Sequence, residues 1–370
     1  EWTNEKDDEL EFMIDVESSG DYYIGIDYLS LNDTVIDNKI SLYINDELQN
    51  SDAENMPLFS TWANESNEKV FDSNNIQVLN RQKLVKKWDY IVLREKLMLD
   101  KNPVSFSLLK GSNKIKIKKE EGEFILGDIY LVKDNELSTY NNYRKNNDYP
   151  ITKNQLISLE AENPVYKNDI SILFENEQTP NTTPYNSYKN YINIVDVYFY
   201  KPGQKLTYAF EVKEAGYYNI TLKYRNNFYQ NINVYRNIYI NDELVFDDLH
   251  GYRFPYSTKW RNETLGNKED FLFYFPEGTN TLSIEVDASK VADSYHTLND
   301  IVDEIGKLSL DIKKLISGVK DTNREWDLDK FLPHAKDKLN EWYNEVNQII
   351  KDLKAEITLI KIFTFGSGKS

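Results

Sequence analysis

Two spacings of apolar residues divide the chain. Near the start, Leu10, Phe12, Ile14 and Val16 alternate with their neighbours, as a half-buried strand requires. The stretches Tyr22 to Tyr28 and Tyr218 to Tyr224 alternate again, and EGTNTLSIEV at 277–286 reads as a turn followed by another such strand. Gly20 and Gly216 sit between predicted strands, where turns needing positive φ are expected. From Val291 the period changes. Tyr295, Leu298, Ile301, Val302, Ile305, Leu308, Ile312, Leu315 and Ile316 fall at the spacing of an amphipathic helix, with Gly318 as its stop. A second stripe runs through Leu339, Trp342, Val346, Ile349, Ile350, Leu353 and Ile357, with Pro333 in its first turn. Two helices joined by a polar loop containing Trp326 predict an antiparallel hairpin. Neither stripe is wide enough to stand alone, so each needs a surface to pack on.

Sliding the chain along itself exposes a duplication. Residues 10–49 align with 206–246 at one constant offset: Leu10 with Leu206, Gly20 with Gly216, and Tyr43-Ile-Asn-Asp-Glu-Leu48 with Tyr239-Ile-Asn-Asp-Glu-Leu244. Pro57 to Trp62 parallels Pro255 to Trp260, and Lys110-Gly111-Ser-Asn parallels Glu277-Gly278-Thr-Asn. The first copy carries an extra stretch around 68–98. A repeated unit of this size means repeated domains, not a short-period solenoid.

Many short strands without intervening helices predict a mainly β fold: two tandem antiparallel β-sandwiches of jelly-roll or immunoglobulin type, followed by an α-helical hairpin. The expected boundaries are 1–135 for the first sandwich, 136–155 for a linker, 156–288 for the second sandwich, 289–358 for the hairpin and 359–370 for a tail.

Composition narrows the partners. A formal charge of −17 argues against nucleic acid, whose affinity comes largely from Lys and Arg neutralising phosphates. It disfavours an anionic membrane surface as well. No stretch reaches the roughly 18 consecutive apolar residues of a membrane helix. The absence of cysteine removes disulfides and thiol chemistry, and fits a Gram-positive exterior or a cytosol. Glu1 is not a natural start, which points to a processed chain or a fragment.

The second copy opens with Leu156-Ile-Ser-Leu-Glu160-Ala-Glu162-Asn and continues through Pro202-Gly-Gln, the Gly216-Tyr-Tyr-Asn-Ile strand and FPEGTNTLSIEV. This resembles the jelly-roll carbohydrate-binding modules of bacterial polysaccharide-degrading proteins. The whole arrangement, with the helical LNDIVDEIGKLSLDIKKL and REWDLDKFLP segments, is also similar to the N-terminal region of large Firmicute solute-binding proteins of sugar-type ABC transporters. The resemblance implies a cell-surface, lipoprotein-anchored full-length protein with an adjoining solute-binding domain. It also implies a structural calcium held by Glu160 and Glu162, two apart on one strand face, with Asp287 as the late partner; calcium wants six to eight hard oxygens. No organic cofactor is implied.

Sugars are held by aromatic rings stacked on pyranose faces and by polar side chains hydrogen-bonded to hydroxyls. The aromatic-rich loops offer Tyr188, Arg225, Asn227, Tyr229, Tyr256 and Trp260 in the second copy, with Trp62 and Trp88 in the first. For any one of these rings, core or rim packing is the competing explanation. Trp62 and Trp260 recur at matched positions, which favours a shared structural corner, whereas Trp88 lies in the stretch unique to copy one.

Catalysis finds little support. The three His, at 250, 296 and 334, form no triad or metal-ligand spacing, and no carboxylate pair is singled out among the 61 acids. Terminal Gly366-Ser-Gly-Lys-Ser370 lacks the first glycine of a phosphate loop, which Phe363 replaces. Two readings remain: a non-catalytic extracellular region binding a neutral polysaccharide or oligosaccharide, and a structural spacer that docks another protein.

Overall fold

The computed structural model describes residues 9–32, 34–132, 137–146, 149–152, 155–196, 198–227, 230–316 and 328–363. Gly318, Trp326, Tyr229 and the terminal 366–370 segment lie outside them. The chain forms two compact units, one ending at Ala288 and one beginning at Ser289.

The first copy supplies β1 (Glu9–Val16), β2 (Gly20–Ser30), β3 (Asn38–Ile44), β4 (Met56–Leu58), β5 (Trp62–Asn64), β6 (Gln82–Leu84), β7 (Trp88–Val92), β8 (Ser105–Leu108), β9 (Gly111–Glu121) and β10 (Phe124–Val132). One sheet runs β1-β9-β3-β4 and the facing one β10-β2-β7, with β8 also paired to β2. Between them the inward residues of each strand, among them Ile24, Ile26, Ile40, Leu42, Phe106, Ile115 and Ile117, are fully buried. The alternation read from Leu10 to Val16 packs onto this core, each strand showing one face to it.

The second copy follows through β11 (Tyr166–Lys167), β12 (Phe174–Glu175), β13 (Ile194–Val195), β14 (Lys205–Val212), β15 (Gly216–Tyr218), β16 (Thr221–Asn226), β17 (Val234–Ile240), β18 (Tyr252–Phe254), β19 (Ser257–Thr264), β20 (Phe273–Phe275) and β21 (Gly278–Asp287). Phe246, Phe271, Phe273, Ile238 and Leu265 fill its core. The short helix α1 (Tyr140–Asn146) falls in the stretch expected to be a linker. It does more than link: Tyr140 is buried in this core, its ring 4.6 Å from that of Phe271 and 5.1 Å from that of Phe246.

The duplication holds down to hydrogen bonds. Val16 lies opposite Gly111 in copy one, as Val212 lies opposite Gly278 in copy two. Both Asn-Asp turns take positive φ at both central residues, 52° and 66° at Asn45 and Asp46, and 49° and 65° at Asn241 and Asp242. Such turns match the right-handed twist of the strands they join. The buried amides of Asn113 and Asn280 each donate back to two carbonyls of the turn that leads into their own strand, Leu109 and Gly111 in one copy, Pro276 and Gly278 in the other. Gly20 and Gly216 depart from expectation. Neither has positive φ; that role falls to Gly111 (97°) and Gly278 (105°). Gly216 is instead required by close approach, because a Cβ there would sit 2.4 Å from Thr152 Oγ1 and 2.8 Å from the Pro150 carbonyl.

The copies are not strung apart. The sheet of the second runs β18-β17-β21-β14-β11-β5-β6, so two strands of the first copy extend it. Trp62 pairs with Lys167 across this seam. Above it, Arg94 meets Glu285 at 3.2 Å with both side chains largely buried. The same carboxylate oxygen accepts from Asn237 at 3.0 Å and Tyr239 at 3.3 Å.

In the helical unit, α2 (Ala292–Ile316) and α4 (Ala335–Phe363) follow the two predicted stripes, with a single turn, α3 (Leu328–Phe331), before α4. Pro333 precedes α4 instead of lying in its first turn. Among the described residues of the two stripes Ile301 and Trp342 are buried, and Glu304 ties the helices by accepting from Trp342 Nε1 and Lys338 Nζ, each at 2.8 Å. Among the described residues no helix is long and apolar enough to cross a membrane.

Breaking a buried ion pair from one side strands the other charge. Glu285→Ala is therefore expected to destabilise the β unit by about 3–5 kcal/mol in urea unfolding. Asp247→Asn, which breaks the half-exposed Lys101–Asp247 contact, should change it by less than about 1 kcal/mol.

Candidate functional site

A groove lies on the second copy, where β16 and β19 pair with Lys223 opposite Asn262. Strand alternation puts Lys223 and Arg225 on the same side as Trp260 and Asn262. The far wall is the loop after β12, carrying Glu177, Thr179 and Asn181. Buried Asn193 pins that loop: its backbone-facing amide donates at 3.0 Å to the Glu177 carbonyl, the Thr182 hydroxyl and the Pro184 carbonyl. Together with Thr258 and Lys259 these residues enclose about 530 Å³.

Glu177 organises the groove. Arg225 donates to both its oxygens, at 2.9 and 2.5 Å, and Trp260 Nε1 donates to Oε1 at 2.9 Å. The Arg225 guanidinium lies 4.8 Å from the Trp260 ring centre, so one indole face is already covered by a cation. Partial burial pushes the Glu177 carboxyl up, but hydrogen bonds from Trp260, Arg225 and Thr179 outweigh it and hold the group below its ordinary value. The result is a fixed wall of indole, guanidinium and carboxylate beside two hydroxyls, two amides and two lysines.

Of the residues singled out from sequence, Arg225 and Trp260 meet here. Asn227 is exposed just beyond β16, and Tyr256 is half-buried; neither lines the groove. Tyr188 stands almost fully exposed in another loop. Trp62 is buried in the seam between copies, where it pairs and packs and presents no ring to solvent. Trp62 and Trp260 thus share a sequence position in the repeat without sharing a role. Trp88 lies on the first copy, half-exposed on β7. Glu177 carried no sequence signal; one acid in a polar loop looks like any other.

The acidic trio is not assembled as expected. Glu160 and Glu162 lie in a turn closed by the Asn163 amide on the Glu160 carbonyl, not on a strand. Asp287 sits opposite Tyr235 at the end of β21, where its charge acts on Arg236 and His250. Among the described residues no group of three or more His, Asp or Glu is placed to hold a metal ion. Glu162 is nonetheless unusual. It is buried, and neither carboxylate oxygen has a hydrogen-bond partner among the described residues. Burial raises its pKa from 4.5 to about 7 with the help of the Glu160 charge, against the opposing pull of its own backbone amide, which lies near the carboxylate without hydrogen-bond geometry, and of Lys69.

Residues 293–358, in the helical unit, match the family model of the bacterial solute-binding protein, 4-helix bundle domain. The similarity to solute-binding proteins is confined to this segment, which is less than a fifth of the chain. No curated protein matches the chain.

Because the Glu162 carboxyl binds its proton more tightly when folded, its stabilising contribution is complete below pH 4.5 and is lost as pH rises through about 7. Thermal melts in EDTA should show wild type losing stability relative to Glu162→Gln across that window, by on the order of 2 kcal/mol. Asp37, raised to about 6 by burial and by Asp169, gives a residual slope of the same sign in both proteins.

Proposed function

We propose that this chain is a non-catalytic, extracellular glycan-binding region of a bacterial surface protein, working beside the solute-binding domain of a sugar-type ABC transporter. The observation that carries the reading is the pre-formed groove of about 530 Å³ in which Trp260 and Arg225 are locked by Glu177. Its volume suits a mono- or oligosaccharide, and its lining mixes one indole with hydroxyl, amide and charged groups, the mixture that sugar recognition uses. Side chains already held in place lose little freedom on binding, which favours affinity for a flexible, hydroxylated ligand. The match of the helical unit to a solute-binding-protein domain supports the assignment to an uptake system. Localisation at a Gram-positive surface is part of the same proposal. Calcium has no step in it; an ion at Glu160 and Glu162 would draw its remaining oxygens from backbone carbonyls.

A rigid spacer is the second reading, favoured by the burial of Trp62 in a sheet shared by both copies. The two are separated by a glycan array run on the chain in calcium and again in EDTA. Binding to one polysaccharide class is expected, with Trp260→Ala weakening it about tenfold by calorimetry while the melting transition stays cooperative. A blank array from a folded sample would favour the spacer, and loss of binding in EDTA alone would establish a metal.

A further inference from the structure

The first copy carries an aromatic surface that the groove does not involve. Alternation along β2 turns Ile24, Ile26 and Tyr28 into the core and leaves Gly25, Asp27 and Leu29 on the outer face. The flanking strands are in register with it: Tyr90 lies opposite Asp27 and Trp88 opposite Leu29 on β7, while Tyr130 of β10 lies opposite Gly25. Trp88, Tyr90 and Tyr130 therefore share one face of three adjacent strands. Their relative exposures, 52%, 52% and 41%, set them apart from core aromatics such as Tyr28 at 3%.

These rings lie low across the sheet. A Cβ on Gly25 would fall 2.3 Å from the Tyr90 hydroxyl oxygen, and one on Gly127 would fall 2.9 Å from the Trp88 ring. The two glycines are notches that let the rings settle across neighbouring strands. Tyr130 is fixed by a 2.7 Å hydrogen bond from its hydroxyl to Asp27, and meets Tyr90 edge-on with centres 5.7 Å apart. The notches and this bond hold the rings in place while about half of each stays open to solvent. Together they hold a shallow aromatic floor, with the Asp27 carboxylate in it and Asp128 exposed at its rim.

We infer that this face is a second saccharide site, which takes the flat side of a neutral pyranose chain across Trp88, Tyr90 and Tyr130. Apolar C–H faces of the sugar rings stack on the aromatics, and the carboxylates accept hydrogen bonds from the hydroxyls. Charge selects the class. In a chain of net charge −17, a floor bearing Asp27 repels phosphate, sulfate and uronate polymers and suits an uncharged one. Trp88 and Tyr90, two apart on one strand, stand about 7 Å from each other, so the floor spans more than one sugar and favours a polymer over a monosaccharide. The inference shares its ligand chemistry with the groove on the second copy but rests on other residues.

The test is affinity electrophoresis of the whole chain in gels containing hydroxyethylcellulose, galactomannan or, as an anionic control, polygalacturonate. Retardation by a neutral polymer is expected, with affinity reduced about tenfold or more in Trp88→Ala/Tyr90→Ala and partly kept in Trp88→Phe. If the double variant fails to melt cooperatively, Trp88→Gln alone carries the same expectation. Undiminished retardation of the variants would overturn the platform and leave the groove standing. Retardation lost in Trp88→Ala/Tyr90→Ala but kept in Trp260→Ala would support the platform and remove the groove. No retardation of wild type by either neutral polymer, or a concentration-dependent dimer in sedimentation that Trp88→Gln abolishes, would overturn the inference.

Discussion

A buried carboxylate in a shared sheet holds the two halves of the β unit in one register. Glu285 continues the polar face of β21 after Thr281 and Ser283, and it is held in the interior because Arg94, Asn237 and Tyr239 all direct hydrogens at one of its oxygens. Arg94 comes from the first copy and the other two from the second. Removing a carboxylate from water is costly, and only a near-complete set of donors offsets it. The polar cluster therefore fixes the geometry of the contact, while Trp62 on Lys167 continues the backbone ladder beneath it. Everything that faces outward from the unit, including the groove and the ring platform, is referenced to this seam.

The repeat was legible because the same physical demands recur. The Asn-Asp turns need residues that tolerate positive φ, and the strand-opening glycines need φ near 100°, so both were kept in recognisable form. The helical hairpin was legible from its period. The seam was not. Nothing in the 62–84 stretch distinguishes strands that close their own sandwich from strands that extend another, since edge pairing is a matter of backbone and leaves no side-chain signature. Tyr140, in a stretch that looks like a linker, was hidden for a related reason: one aromatic in a polar segment reveals nothing of the pocket it fills.

The candidate site was half legible. Arg225 and Trp260 stood out as an aromatic and a planar cation in one repeat segment, but the acid that locks them lies far off in sequence at Glu177. On the first copy, Trp88 was visible as an unexplained ring, yet the partners Tyr90 and Tyr130 and the notches at Gly25 and Gly127 emerge only when three strands are laid side by side. Strand alternation does not apply to the acidic pair at 160 and 162, because the chain turns there, sending Glu162 inward and leaving Glu160 half outside.

The borrowed strands also set an order of events during synthesis. Residues 62–84 leave the ribosome well before residues 166–167, so β5 and β6 can pair with each other at once while the other edge of β5 stays open until the second copy has been made. Polar, short strands such as Gln82–Leu84 are suited to that interval, since they offer little to a wrong neighbour. Mature, the arrangement means that the boundary recognised by evolution, the repeat, and the boundary recognised by mechanics, the sheet, fall in different places. A pull applied between the two copies would have to shear a ladder before it could straighten any linker.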